Sequence, residues 1–392
     1  MTYKNELKIS LFSFAMTCLY FITVVQKLVW ISWYNTLKYT ILFICGIYIF
    51  RNFPLIKKNL DNKLTGALGV FSVSASYSAV NNFENIKNRN VILATTVLLL
   101  SIWEFYLMIA CAKGKGKTKN VVHLYKNLTA ITIAVTDVGV LFVPTIDNGN
   151  YLIGTKFSVT YLHILLVALY LASNKANQKK DNRAVLTLLI TLSVLISLKV
   201  ECATGIIGLL IYIVCYLNKE QFSKFFLSAK TFIVSILVVD SFAVAYEMIL
   251  NNRYIQNIIS NVFHRSLTLT GRANIYQKLP IILETNLIWG NGCGSAYEIM
   301  QRYTPYADAQ NGVAQWIIQV GVVGTIALFI ALALCFTNPQ KNLTNRGEVE
   351  IAILIFVFIV LSAIEITFDT MFIALVLLFG YLRLENSCMR KY

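Results

Sequence analysis

The sequence predicts an all-α, polytopic membrane protein of about 12 transmembrane helices, with one large extracytoplasmic loop between the ninth and tenth. Three observations carry that prediction. The 392 residues are 57% hydrophobic and only 14% charged, with a mean hydropathy of +0.64, which excludes an ordinary soluble domain, a disordered tail, a coiled coil and a disulfide scaffold. Apolar runs of spanning length recur along the whole chain. At about 20 residues per span, a dozen helices use roughly 240 residues and leave about 150 for loops.

The runs fall at residues 7–25, 34–50, 64–80, 91–112, 127–143, 157–172, 184–198, 203–217, 225–246, 311–336, 350–367 and 369–384. The first lacks a small-residue cleavage site and reads as a retained span. The shorter runs need flanking residues or a thinned bilayer to cross. Residues 1–392 form a single integral membrane unit, with 247–310 as an extracytoplasmic cap.

Orientation follows from the basic residues, which are retained on the cytoplasmic side. Alternate loops and both tails collect 22 of the 34 Lys and Arg, from Lys4 and Lys8 through the Lys113–Lys126 cluster to Arg390 and Lys391. Both termini are therefore expected in the cytoplasm. The formal charge of +15 comes from these short clusters between apolar runs, not from one basic surface, so nucleic acid is not an expected partner. The opposite loops are short and hold only Lys27, Lys38, Lys87, Arg89, Lys156 and Lys199. The exception is the stretch from Glu247 to Gln310, which carries Arg253, Arg265, Arg272, Lys278 and Arg302. Long translocated segments escape the charge rule, so these cations fit either ordinary surface charge on a cap or a site for an anion.

Within the cap, residues 251–265 space Ile255, Ile258, Ile259, Val262 and Phe263 as an amphipathic helix on the membrane surface. A turn at Thr270-Gly271 precedes a helix from about Arg272. The glycines of Gly290 to Ser295 serve a turn or, with Gly290 and Gly292, present backbone N–H groups to a phosphate before a helix starting near Ala296. The segment has no P-loop lysine, and nucleotide hydrolysis is excluded.

The eight cysteines sit in or beside apolar runs, apart from Cys293 in the cap and Cys388 in the tail, and read as free thiols. The histidines His123, His163 and His264 are scattered and no metal-ligand spacing occurs, so neither metal nor cofactor is expected. His264, beside Arg265, is the one histidine on the outer side. Ionisable groups inside spans are costly and mark paired or functional positions; Glu104, Asp137, Asp240, Glu365 and Asp369 qualify, the last two also fitting plain helix ends. Lys199 and Glu201 share an outer hairpin, where a mutual ion pair is the simple reading.

The order Thr270-Gly271-Arg272, Pro280, Trp289-Gly-Asn-Gly-Cys-Gly294, Gln310-Asn311 and Gln319-Val-Gly-Val-Val-Gly324 resembles the O-antigen polymerase and ligase family. The likeness covers residues 265–330 and the topology; the hairpin with Lys199, Ala203, Thr204 and Gly205 is a looser match. The resemblance implies a metal-independent glycosyltransferase of the bacterial plasma membrane. Such an enzyme moves glycan from an undecaprenyl-pyrophosphate-linked donor to a sugar hydroxyl of a lipid-linked acceptor at the outer face, as in capsule or O-antigen assembly. It implies membrane lipid, a chain-length regulator and a flippase as partners. Guanidinium groups suit the leaving pyrophosphate because they stay protonated and bind its oxygens bidentately. Arg272 and Arg265 are the expected catalytic cations, with Lys199, Gly290, Gly292, Arg302, Gln310 and Asn311 as substrate-binding positions. The family's histidine before Asn is here Gln310, which favours polymerase over ligase; Asp308 is the substitute base, or else a helix cap. A flippase or other transporter is the reading from another class, and it predicts two pseudosymmetric halves.

Overall fold

The computed structural model describes residues 2–28, 31–142, 150–250, 272–337 and 347–388, and their side chains over 11–28, 31–142, 150–241, 274–337 and 347–384. Among these residues every regular element is helical, apart from one isolated bridge between Tyr151 and Gly154.

In chain order the helices are α1 (Thr2–Tyr20), which runs into a π-turn at Phe21–Val25, then α2 (Tyr34–Lys57), α3 (Asn62–Asn81), α4 (Val91–Gly114), α5 (Thr118–Phe142), α6 (Lys156–Ala176) and α7 (Arg183–Lys199). There follow α8 (Ala203–Leu217), α9 (Lys219–Phe226), α10 (Ala229–Leu250), α11 (Arg272–Glu284), α12 (Ala296–Gln301), α13 (Gly312–Leu334), α14 (Glu348–Leu361) and α15 (Thr370–Cys388). Polar side chains start several of them by accepting hydrogen bonds from otherwise orphaned N–H groups: Asp61 from Lys63 and Leu64, Asn90 from Leu93, Asn182 from Ala184, Asn311 from Ala314 and Asp369 from Phe372.

Among the described residues five helices are long and apolar enough to cross a membrane: α2, α4, α5, α6 and α13. A sixth is gained if α8 and α9, bent by 106° at their join, count as one span; shorter apolar stretches occupy Leu11–Val25 and Thr370–Leu384. The expected ninth run, 225–246, is divided between the end of α9 and α10. The expected amphipathic helix at 251–265 lies outside the described residues.

Apolar character all round a helix implies burial on every side. That holds for α14, where Ile351 to Ile355 are wholly enclosed, with α6 and α15 packed against it. The outer helices instead show large apolar side chains on the surface, Phe43 at 70% and Phe50 at 82% exposure on α2 and Phe142 at 79% on α5. Apolar exposure of this extent on helices of spanning length fits a lipid-facing surface.

Candidate functional site

The site begins with a break in α13. Gly321 sits at φ +70° and ψ 179°, outside helical geometry, and interrupts the hydrogen-bond ladder of an apolar helix. The stranded groups find partners in the glycine-rich segment. Val322 and Val323 N–H donate to the carbonyls of Leu287 and Ile288, at 2.9 and 3.3 Å. The carbonyls of Ile318 and Gln319 accept from Asn291 and Gly292 N–H, at 2.9 and 2.7 Å. Ser78 of α3 adds a hydroxyl bond to the Gln319 carbonyl and accepts from Gly292 N–H; Asn82 donates to the Gly290 carbonyl at 3.0 Å. Non-helical backbone within a spanning helix requires such internal satisfaction. The contact leaves no room for a Cβ: one at Gly321 would strike the Ile288 carbonyl oxygen, and one at Gly290, itself at φ +72°, the backbone nitrogen of Gly321.

The two glycine motifs are thus a single clasp. The N–H groups that would cradle a phosphate are engaged within the protein: Gly290 with Asn286, Asn291 with Ile318, Gly292 with Gln319 and Ser78, Cys293 with Thr95, Gly294 with the Gln319 side chain and Ser295 with Gly292. Gly290 and Gly292 act in packing, and the expected open cradle is not found.

One end of the bundle, where α1 and α14 finish and α2, α4, α6, α13 and α15 begin, encloses two polar cavities. The first, about 480 Å³, takes Gln26 and Lys27 from the end of α1, Gly154, Thr155, Phe157 and Ser158 from the start of α6, Asp308 and Gln310 from the approach to α13, and Glu365 and Asp369 from the α14–α15 turn. The second, about 350 Å³, is lined by Arg89, Tyr297, Gln315 and Gln319 among others. Gln26, Ile366 and Asp369 line both, so the cavities share a wall.

That wall is held in a defined geometry. The Asp369 Oδ2 accepts from Gln26 Nε2 at 2.7 Å, while Oδ1 accepts from the Phe372 N–H at 3.0 Å as the cap of α15. Burial pushes the Asp369 carboxyl up to about 6; the hydrogen bonds from Phe372, Gln26 and Met371 oppose the rise without cancelling it. Gln26 follows the π-turn at φ +57°, and Gln310 sits at φ +49°. Among the described residues only four non-glycine residues have positive φ, and two of them line the first cavity. Strain of this kind persists where the surroundings enforce it, commonly at functional sites.

Asp308 and Gln310 come together as a unit: Asp308 Oδ1 accepts from Gln310 N–H at 3.1 Å and from its Nε2 at 2.8 Å. The helix cap is the neighbouring Asn311, whose Oδ1 accepts from Ala314 N–H at 2.8 Å while its buried Nδ2 has no acceptor among the described residues. Arg302 is elsewhere. Its Nη2 donates to Glu298 at 2.9 Å and to the Asn85 carbonyl at 2.7 Å, and Glu298 also accepts from the N–H groups of Lys87 and Asn88. Burial would raise the Glu298 carboxyl, but the Asn88, Arg302 and Lys87 contacts outweigh it and hold it below the ordinary carboxylate range.

Lys199 ends α7 exposed, and the carbonyl of Glu201 accepts from Lys156 at 3.2 Å. Arg265 and His264 lie outside the described residues; Arg272 opens α11, with its side chain outside them too. His163 is a structural partner, bonded to Asp137 at 3.1 Å and to Ser193 at 3.3 Å across α5, α6 and α7. Among the described residues no three His, Cys, Asp or Glu groups gather as a metal site.

Sequence reasoning missed Gln26 and Arg89, and read Asp369 only as a helix end or a costly intramembrane acid. Gln26 and Asp369 are 343 positions apart, so no local pattern joins them. Arg89 entered only as one of a few loop charges. Comparison with protein-family models and with curated proteins finds no match to this chain.

Proposed function

We propose that this protein is a polysaccharide repeat-unit polymerase of the bacterial plasma membrane. It transfers glycan from a polyprenyl-pyrophosphate-linked donor to the hydroxyl of a lipid-linked acceptor, at the extracytoplasmic face. In this reading the chain crosses the membrane about 12 times with both termini in the cytoplasm, and residues 247–310 cap the site. A chain-length regulator and the flippase that delivers repeat units are its partners.

The observation that carries the reading is the pair of polar cavities meeting at Gln26 and Asp369. Glycan polymerisation brings two sugar-bearing substrates together at one bond, and two chambers with a common carboxylate wall suit that need. The acceptor hydroxyl oxygen forms a bond to the donor's anomeric carbon as the carbon–oxygen bond to pyrophosphate breaks. The electron pair leaves with the polyprenyl pyrophosphate, and the hydroxyl proton passes to Asp369, which a value of about 6 leaves ionised at neutral pH. Asp308 and Gln310, on the floor of the first cavity, orient the acceptor. Cations meet the charge on the leaving group, with Arg272 and Arg265 the candidates from the sequence; such groups supply several kcal/mol when held in place, and loss of one costs about 10²–10³ in rate.

Deletion of the gene followed by gel analysis of surface polysaccharide tests this. A ladder collapsed to one repeat unit is the expected result. Full-length chains left unattached would make the protein a ligase, loss of all surface glycan a flippase, and an unchanged ladder would overturn the reading altogether. Purified protein is expected to polymerise lipid-linked repeats in excess EDTA; restoration by magnesium after EDTA arrest would overturn the cation mechanism.

A further inference from the structure

Two more cavities continue the series beyond Arg89. A small one, about 220 Å³, lies between the starts of α2 and α4 and is lined by Asn35, Lys38, Arg89 and Asn90, with Arg89 and Ala94 shared with the second polar cavity. Past it a groove of about 600 Å³ runs down between α2 and α4, walled by Leu42, Phe43, Ile47, Phe50 and Leu100; Tyr39, Leu93 and Val97 line both spaces. Polarity therefore falls in order along one path: carboxylate chamber, cationic pocket, apolar groove.

We infer that this path is the binding site of a polyprenyl pyrophosphate, with its phosphates between Lys38 and Arg89 and its hydrocarbon chain in the α2–α4 groove. The inference rests on the polymerase reading for the identity of the lipid, and on three independent features for the site.

The first is uncompensated charge. Lys38 lies within electrostatic reach of both Arg89 and Lys27, and among the described residues neither Lys38 nor Arg89 has a carboxylate partner. Converging like charges repel unless an anion joins them, and a guanidinium beside an ammonium suits a diphosphate. The Arg89 side chain passes close to the glycine-rich segment, its Nε lying 2.9 Å from where a Cβ on Gly294 would stand.

The second feature is the far end of the groove. Glu104 is buried, and its Oε2 lacks a hydrogen-bond partner. Thirteen residues into α4, it stands ~20 Å below the cationic pocket, opposite Gly46 of α2. The groove between is lined almost wholly by apolar side chains, so an anionic lipid enters with only one polarity, head at Lys38 and Arg89 and chain toward Glu104.

The third is the order of parts. A lipid-linked sugar reads tail, pyrophosphate, sugar. The path reads apolar groove, cations, then the chamber wall at Asp369, which puts the breaking bond beside the proposed base. The groove walls carry the exposed Phe43 and Phe50, so the chain reaches the site sideways from the bilayer without leaving lipid.

The test is photocrosslinking of purified full-length protein in lipid nanodiscs, using polyprenyl pyrophosphate with a diazirine near the end of its chain. Cross-links are expected on α2 and α4, competed by unlabelled polyprenyl pyrophosphate and not by phosphatidylglycerol. The double variant Lys38→Gln, Arg89→Gln should lower labelling about tenfold or more, corresponding to about 1.4 kcal/mol. Gly46→Leu should also lower it by filling the groove; a Cβ there meets nothing closer than the Glu104 Oε1 at 3.7 Å. Labelling on other helices, equal competition by phosphatidylglycerol, or labelling unchanged in both variants would overturn the site. Correct labelling of a protein that makes no polymer would leave the site standing and remove the polymerase reading; polymer synthesis with labelling elsewhere would do the reverse.

Discussion

The two ends of the bundle treat buried and half-buried charge in opposite ways. At the end away from the cavities, Lys219 pairs with the fully buried Glu350 at 2.8 Å and lies 3.9 Å from the centre of the Tyr216 ring, and Arg383 donates to the carbonyls of Leu227 and Phe336. At the cavity end, Lys38 and Arg89 converge with no carboxylate partner among the described residues, and the half-buried Asp369 has only neutral donors on its oxygens. Charges that close on one another serve the fold. Charges left open at the rim of a cavity leave their work to a ligand.

The largest effect should come from the clasp that supports the cavity end. Gly321→Ala forces a Cβ into the Ile288 carbonyl and an L-residue into left-handed geometry, with an expected loss of at least about 4 kcal/mol and little folded protein in the membrane. Gly66→Ala on α3, where a Cβ meets nothing within 4 Å, is the control and should be neutral or slightly stabilising. Equal yields of both variants would mean that the clasp does not support the fold.

Next is the contrast between the ends. Lys219→Met removes the ammonium that pairs with the buried Glu350 and should cost about 3 kcal/mol in thermal unfolding. Arg89→Met should change stability by no more than about 0.5 kcal/mol while polymer synthesis collapses. Comparable destabilisation by the two would erase the distinction.

Asp369→Asn sharpens the role of the shared wall. Asparagine caps a helix as well as aspartate, so α15 should survive, yet the rate should fall by about 10²–10⁴ because an amide takes no proton. A base works only when ionised. The wild-type rate should therefore decline as pH drops through about 6, and the residual rate of the variant should lack that decline. An Asn variant with full activity, or one that keeps the acid limb, would return Asp369 to a purely capping role.

The smallest effect belongs to Arg302. Its exposed pair with Glu298 is worth no more than about 1 kcal/mol, so Arg302→Ala should leave polymer output within about twofold. A large loss would bring Arg302 into the substrate path.

Much of the helical layout was legible in the sequence, because apolar runs and polar caps are local. Asn90, Asn182 and Asn311 stand where a helix start needs an acceptor, and the helices at Arg272 and Ala296 begin where the pattern puts them. The site was legible only in pieces. Asp308 and Gln310 are neighbours, and their pairing is a short-range matter. The glycine motifs drew attention for the right reason, special backbone geometry, but a sequence does not tell which acceptor a backbone N–H will find. Here the acceptors are carbonyls of a broken helix and hydroxyls of α3 and α4. Gln26 and Lys38, Arg89, and Asp369 come from three segments far apart in the chain, and charge-counting for topology treats such cations as orientation signals alone.

The break at Gly321 also bears on how the protein is made. Ser78, which bonds the Gln319 carbonyl, precedes it by 241 residues, so α3 is synthesised long before α13 exists. When α13 enters the bilayer, its interior N–H and C=O groups need partners at once, and an unbroken helix is the form that supplies them. Gly321 then opens as α13 packs against α3 and the preceding loop, exchanging intrahelical bonds for bonds to them. The partners of the break all precede it in the chain, so the clasp closes as soon as α13 packs, whereas the shared cavity wall at Asp369 waits for the helices that follow.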